Sequence, residues 1–435
     1  MRYLLTIALL LTFPMVHLTA QENANDIADS IIQRQDMFEI QERFPKLAPN
    51  ISSTLLREFL GMQYCINTNR MDSAHIYIDS LLTHHQAEIG FENTVGMVLQ
   101  KAYLYAQKGE YKNAVDVAQG FLKQVAQFTD TTKLEGFHQL LKIHRPLYDQ
   151  PVPTLSRSEK DVEVPFIREQ VDTKGSLLMR IPVEINGKTH MFALDTGANS
   201  TYLHERFARE LGLTTIGQVS LGHGMLGSVE AQYAKIDSLV VGDIVFRNPV
   251  VYIGPEHAAL DSIYYLNAVL GADFLHRIVE MQIDNEKQVV RFPAKESPMP
   301  ATGPNLIYNA RNYYVKLFKD RKPLYFFLDT GDGGSSLNNV YYEAHKREID
   351  ATAQIDSAGT FVGNTIAYEP SKKLPDFDFI LGDQTVTLKG LAVHTKPGPP
   401  PSFPSCCGSL GQQFVKAFRK LTFNFKNGFL SGEVY

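Results

Sequence analysis

The chain has 435 residues, of which 44% are apolar and 20% charged, and its formal net charge is -5 at pH 7. That length suggests about three units at roughly 150 residues each, and the balance is ordinary for a globular protein. The acidic balance offers no basic surface to recommend a nucleic-acid partner. The three cysteines, Cys65 and the adjacent Cys406 and Cys407, exclude a disulfide framework while leaving one long-range bridge open.

In chain order, the first predicted element is an export signal over residues 1–20. Arg2 gives a positive start, Leu4 to Leu11 an apolar core, and Leu18-Thr19-Ala20 a small-residue end before Gln21. That core is too short to span a bilayer as a mature helix, and no later segment is long and apolar enough. The expectation is an exported protein, periplasmic or secreted from a bacterium, with no membrane span in the mature chain.

Residues 21–147 carry helical periodicity. Leu99, Ala102, Tyr103 and Ala106 recur at helical spacing, a break follows at Lys108-Gly109-Glu110, and Ala114, Val115, Ala118, Phe121 and Leu122 share one face. The run Lys101 to Tyr111, echoed by Leu60 to Cys65 with Ala74 and Ile78, resembles a tetratricopeptide repeat. This region has no polar constellation that suggests chemistry, and it is expected either to bind a protein partner or to pack on the next domain. Residues 148–163, with Pro151 and Pro153, read as a linker.

Beyond them the texture is β to the C-terminus. Leu178 to Ile185 alternates and meets a hairpin turn at Asn186-Gly187. A Pro/Gly-rich stretch at residues 293–305 divides the β region into residues 164–292 and 306–435. The predicted fold class is multidomain α plus β: a helical repeat region, then two similar, mainly-β lobes forming one bilobal unit.

The two lobes repeat one ordered set of motifs. Each has a hairpin whose second strand runs into Leu-Asp-Thr-Gly, at Leu194-Asp195-Thr196-Gly197 and Leu328-Asp329-Thr330-Gly331. Each has a later strand ending in Leu-Gly, at Leu270-Gly271 and Leu410-Gly411, and each closes with a hairpin. Between these lie glycine-rich tips, with Gly222, His223 and Gly224 in the first lobe and Gly359 and Gly363 in the second.

This set resembles the aspartic proteases, retropepsin-like and pepsin-like, over roughly Val164 to Tyr435. The resemblance implies that Asp195 and Asp329 are the catalytic pair. It implies that Thr196 and Thr330 lock the two loops, and that Gly197 and Gly331 admit close backbone approach. Gly271 and Gly411 would support the aspartate loops from behind, and the glycine-rich tips would be two flaps, as in a retropepsin dimer fused into one chain. Two carboxylates about 3 Å apart cannot both ionise, and aspartic proteases are the known instance of such proton sharing. One then takes a proton from water while the other donates to the scissile carbonyl. The implied partner is a peptide or protein substrate. No cofactor and no metal are expected, since the histidines scatter without ligand spacing.

One departure stands in the second lobe. Ala198 follows the first Asp-Thr-Gly, but Asp332 follows the second, and a third acid there would raise the pKa of the pair or weaken activity. Two alternatives to a single-chain endopeptidase follow. One is a protease in which only the first lobe is competent and two chains must pair. The other is a non-catalytic peptide-binding or scaffold protein.

Overall fold

The computed structural model describes residues 23–435 apart from 126–127, 129–130, 171–176, 224–226, 257–265, 363–364 and 399–402. The expected export signal therefore lies outside the described residues. An N-terminal helical region precedes a β-rich region, as the pattern predicted.

The helices are α1 (Ala24–Arg34), α2 (Met37–Leu47), α3 (Thr54–Asn67), α4 (Met71–His84), α5 (Gln86–Lys108), α6 (Tyr111–Val125) and α7 (Glu135–His144). Their starts follow capping chemistry: the Asp36 carboxylate accepts from the Phe38 and Glu39 amides, both at 3.0 Å, and the Ser53 hydroxyl accepts from Leu56. Gly90 breaks the first turn of α5, and Gly109 ends it in the left-handed region at φ 80°. Gly109 is also held to glycine by space, since a Cβ there would lie 2.4 Å from Pro153 Cδ. Ala74, Ala102, Ala114 and Ala118 are fully buried, which lets neighbouring helices approach closely. No described helix is long and apolar enough to cross a membrane.

Among the described residues the β region holds three sheets. One belongs to the first lobe and one to the second. The third is shared: the closing strand Glu280–Asp284 of the first lobe pairs antiparallel with Lys420–Asn424 of the second. The two predicted closing hairpins thus lie side by side in one sheet under both lobes. Residues 148–163 are more than the linker expected from their prolines. Thr154–Ser156 pairs with Ile244–Arg247, and the strand Val162–Pro165 pairs with Val289–Phe292. The prolines fall outside those pairings, at a turn and at a strand end where no ladder donor is needed.

The helical region packs on both lobes. Phe38 of α2 is buried with Ile307, Tyr314 and Phe403, and Gln41 donates to the carbonyls of Leu306 and Gly428 at 2.8 and 3.2 Å. Leu147, after α7, is buried with Val219, Ala231 and Tyr233 of the first lobe. All three cysteine thiols are free, so the long-range bridge left open by the sequence is not made.

Candidate active site

Each aspartate is delivered by the same local device. The strand Lys188–Leu194 runs parallel to Ala268–Leu270, with Leu194 opposite Leu270. The strand Lys322–Leu328 runs parallel to Cys406–Leu410, with Leu328 opposite Leu410. These leucines are almost fully buried and anchor the strand ends. The ladder then closes one residue further on: the Asp195 amide donates to the Leu270 carbonyl at 3.1 Å, and that of Asp329 to Leu410 at 2.9 Å. Both chains must turn sharply beyond this point, so each aspartate stands at the rim of its lobe.

The rims meet. The Thr196 amide donates to Thr330 Oγ1 at 3.0 Å, and the Thr330 amide donates to Thr196 Oγ1 at 3.0 Å. Thr196 Oγ1 in turn donates to the Leu328 carbonyl and Thr330 Oγ1 to that of Leu194, both at 2.7 Å. Both threonines are buried, so these four bonds form a dry, reciprocal clamp. The clamp leaves no room for side chains at the next position. A Cβ on Gly197 would lie 2.6 Å from the Asp329 carboxyl carbon, and one on Gly331 would lie 2.3 Å from that of Asp195.

The glycines Gly271 and Gly411 sit behind the loops. A Cβ on Gly271 would meet the backbone of Ser200 at 2.6 Å, and one on Gly411 the carbonyls of Gly334 and Asp332 at 2.2 and 2.3 Å. Two supports with the same logic escaped the sequence reading. The hydroxyls of Thr201 and Ser335, each the sixth residue after its aspartate, accept from the amides of Gly271 and Gly411. The amides of Ala272 and Gln412 reach back to the carbonyls of Ala198 and Asp332 at 2.8 and 2.7 Å. A hydroxyl repeated at one offset from each aspartate was the available signal. Thr201 is further fixed by the Asp273 carboxylate, and Gln412 donates to the Thr330 carbonyl at 2.6 Å.

The two carboxyls are neighbours, each lying against the glycine of the opposing loop. They are deeply set yet partly open to solvent. Burial holds both above the usual carboxylate range. Asp195 is pulled back toward ionisation by Asp329 and by the amides of Gly197 and Ala198, which donate to its Oδ1 at 2.7 and 3.1 Å. Asp329 is raised further by the charges of Asp195 and Asp332. Its Oδ1 accepts from the Gly331 amide at 3.0 Å, while the Asp332 amide turns to the Asp329 carbonyl. The Asp332 carboxylate accepts from the Gly334 amide at 2.9 Å and faces Ser409, itself beside Ser336. These neighbours favour the neutral form more at Asp329 than at Asp195.

Residues 181–274, which contain Asp195 and Gly271, match the family model described as aspartyl protease. In that segment the chain is similar to the aspartic proteases. The aspartic proteinase of Irpex lacteus superposes with a TM-score of 0.41 at 13% identity, covering 63% of this chain and 97% of that one. No curated protein sequence matches.

The expected flaps are hairpins at the backbone level. Thr215–His223 pairs with Gly227–Lys235, placing Gly222 opposite Ser228 and His223 opposite Gly227. Gln354–Val362 pairs with Thr365–Leu381, placing Gly359 opposite Tyr368. Gly224 and Gly363 lie outside the described residues. The base of the first hairpin is packed against the helical region, where Gly217 faces Pro146 closely enough to exclude a Cβ.

Proposed function

We propose that the chain is an exported aspartic endopeptidase that hydrolyses peptide bonds with a water activated between Asp195 and Asp329 of one polypeptide. The observation that carries this reading is the placement of each carboxyl against the opposing loop's glycine, held there by the reciprocal Thr196 and Thr330 bonds. Export rests on the leader-like sequence of residues 1–20.

The roles follow from the asymmetry. Asp195, supported by two amides, is the ionised member and takes a proton from the attacking water. Asp329 holds its proton until the scissile carbonyl accepts it as the tetrahedral species forms. No covalent intermediate is involved. Thr196 and Thr330 position the pair, Gly197 and Gly331 admit it, and Gly271 and Gly411 fix the loops. The hairpins ending near His223 and Val362 are the proposed flaps over the peptide. The proposed units are the helical region at residues 21–147 and the lobes at 164–292 and 306–435, with strands contributed from 148–163.

Peptide cleavage by the wild type, Asp195→Asn and Asp329→Asn chains tests the reading. Loss in both variants is expected. Full activity in either sinks the intramolecular pair. Activity that falls on dilution would point instead to two chains pairing through their first lobes.

A further inference from the structure

A cavity of about 710 Å³ lies between the helical region and the lobes, apart from the aspartate pair. Its size is that of a small-ligand site. Arg311 reaches it from the tip of the hairpin formed by Leu306–Asn309 and Asn312–Lys319. Arg311 is exposed and lines the cavity. Tyr252 and Tyr308 line the cavity beside it. Among the described residues no carboxylate makes an ion pair with it. The nearby Asp273 is held by Thr201, and Arg277 donates to the carbonyls of Asp273 and Lys108. Two histidines on the same wall stay neutral and add no further positive charge. Burial, with the charge of Arg311, pushes His144 down to about 4, and burial, with Arg277 and Arg311, pushes His276 down to about 3. An anion entering the cavity would meet a guanidinium that no carboxylate occupies and would make a charge-assisted contact with it.

The remaining wall suggests what carries that anion. Asn93, Gln100 and Gln107 of α5 are seven residues apart and line the cavity in one row. The Gln107 amide nitrogen has no hydrogen-bond partner among the described residues. Side-chain amides both donate and accept, as peptide groups do. Phe59 and Met62 of α3 offer apolar surface on the same cavity.

We propose that this cavity binds the carboxyl end of a short peptide, with Arg311 taking the terminal carboxylate and the α5 amides lying along its backbone. The site is separate from the aspartate pair and does not depend on proteolysis.

The test is calorimetric titration of the full chain carrying Asp329→Asn with an N-acetylated Ala-Leu-Leu-Phe-Ala peptide, as free acid and as C-terminal amide. The acid should bind at least about tenfold more tightly, the worth of one charge-assisted contact. Arg311→Gln should remove that preference while the chain melts as the parent does. Gly96→Phe, at a cavity-lining glycine whose Cβ would meet nothing, should block both peptides by filling the space. Equal affinity of acid and amide would overturn the proposal, as would absence of binding or affinity indifferent to Arg311→Gln, which would place the peptide elsewhere. Arg311-dependent binding of decanoate without binding of the peptide acid would overturn the peptide assignment. Because the readout needs no cleavage, failure of the proteolytic reading leaves this test intact.

Discussion

The two aspartate loops share their scaffold and differ in their charge. In both, a buried leucine, a reciprocal threonine, a glycine against the opposing carboxyl and a hydroxyl six residues on hold the same places. At the third residue after the aspartate the symmetry ends. The Ala198 amide supports the Asp195 carboxylate, whereas the Asp332 side chain places a negative charge beside Asp329. Duplication thus accounts for the geometry, and one substitution within it distributes the proton.

The largest effects should come from removing either member of the pair. Asp195→Asn and Asp329→Asn should each lower kcat for peptide cleavage by about 10²–10⁴-fold, the usual worth of general acid–base catalysis. Their stabilities should show less symmetry. Asp329 holds its proton more tightly folded than unfolded, so its contribution is fully present below the unfolded value of about 3.9 and is lost as pH rises toward the raised folded value. Asp329→Asn escapes that loss, and its melting temperature at pH 7 should exceed that of the wild type. A lower value would contradict the placement of the proton.

Gly331→Ala comes next. Its Cβ would press on the Asp195 carboxyl, and a displacement on the order of 1 Å costs about 10²-fold in rate. Gly197→Ala should act alike on Asp329, and a variant of either kind with wild-type kcat would show that the loops are not held as described. Thr196→Val and Thr330→Val probe the shared scaffold. Each strands one buried amide and one buried carbonyl, so denaturant melts should show losses of about 2 kcal/mol or more, equal for the two positions. Clearly unequal losses would break the symmetry of the clamp.

The smallest effect sharpens the comparison most. Asp332→Asn removes a charge that raises Asp329, so the alkaline limb of the pH–rate profile should move to lower pH while the acid limb stays. His394, which Asp332 also faces, stays below its ordinary range through burial. An unmoved alkaline limb would mean that Asp332 is neutral or screened.

The sequence alone determined the repeated Leu-Asp-Thr-Gly and Leu-Gly motifs, and with them the paired loops and the division into a helical and a β region. These follow from local chemistry: strand periodicity, a turn at Asn186-Gly187, and glycines where no Cβ fits. The tertiary structure decided what depends on distant segments meeting. Residues 148–163 became strands because edges of two sheets were there to receive them. The Thr201 and Ser335 hydroxyls gained their role only when each lobe folded a remote glycine against its aspartate loop. Arg311 reads in the sequence as an ordinary polar hairpin residue. Only the docking of α5 and α3 across that tip put it on a cavity wall, because a cavity is made by neighbours far along the chain.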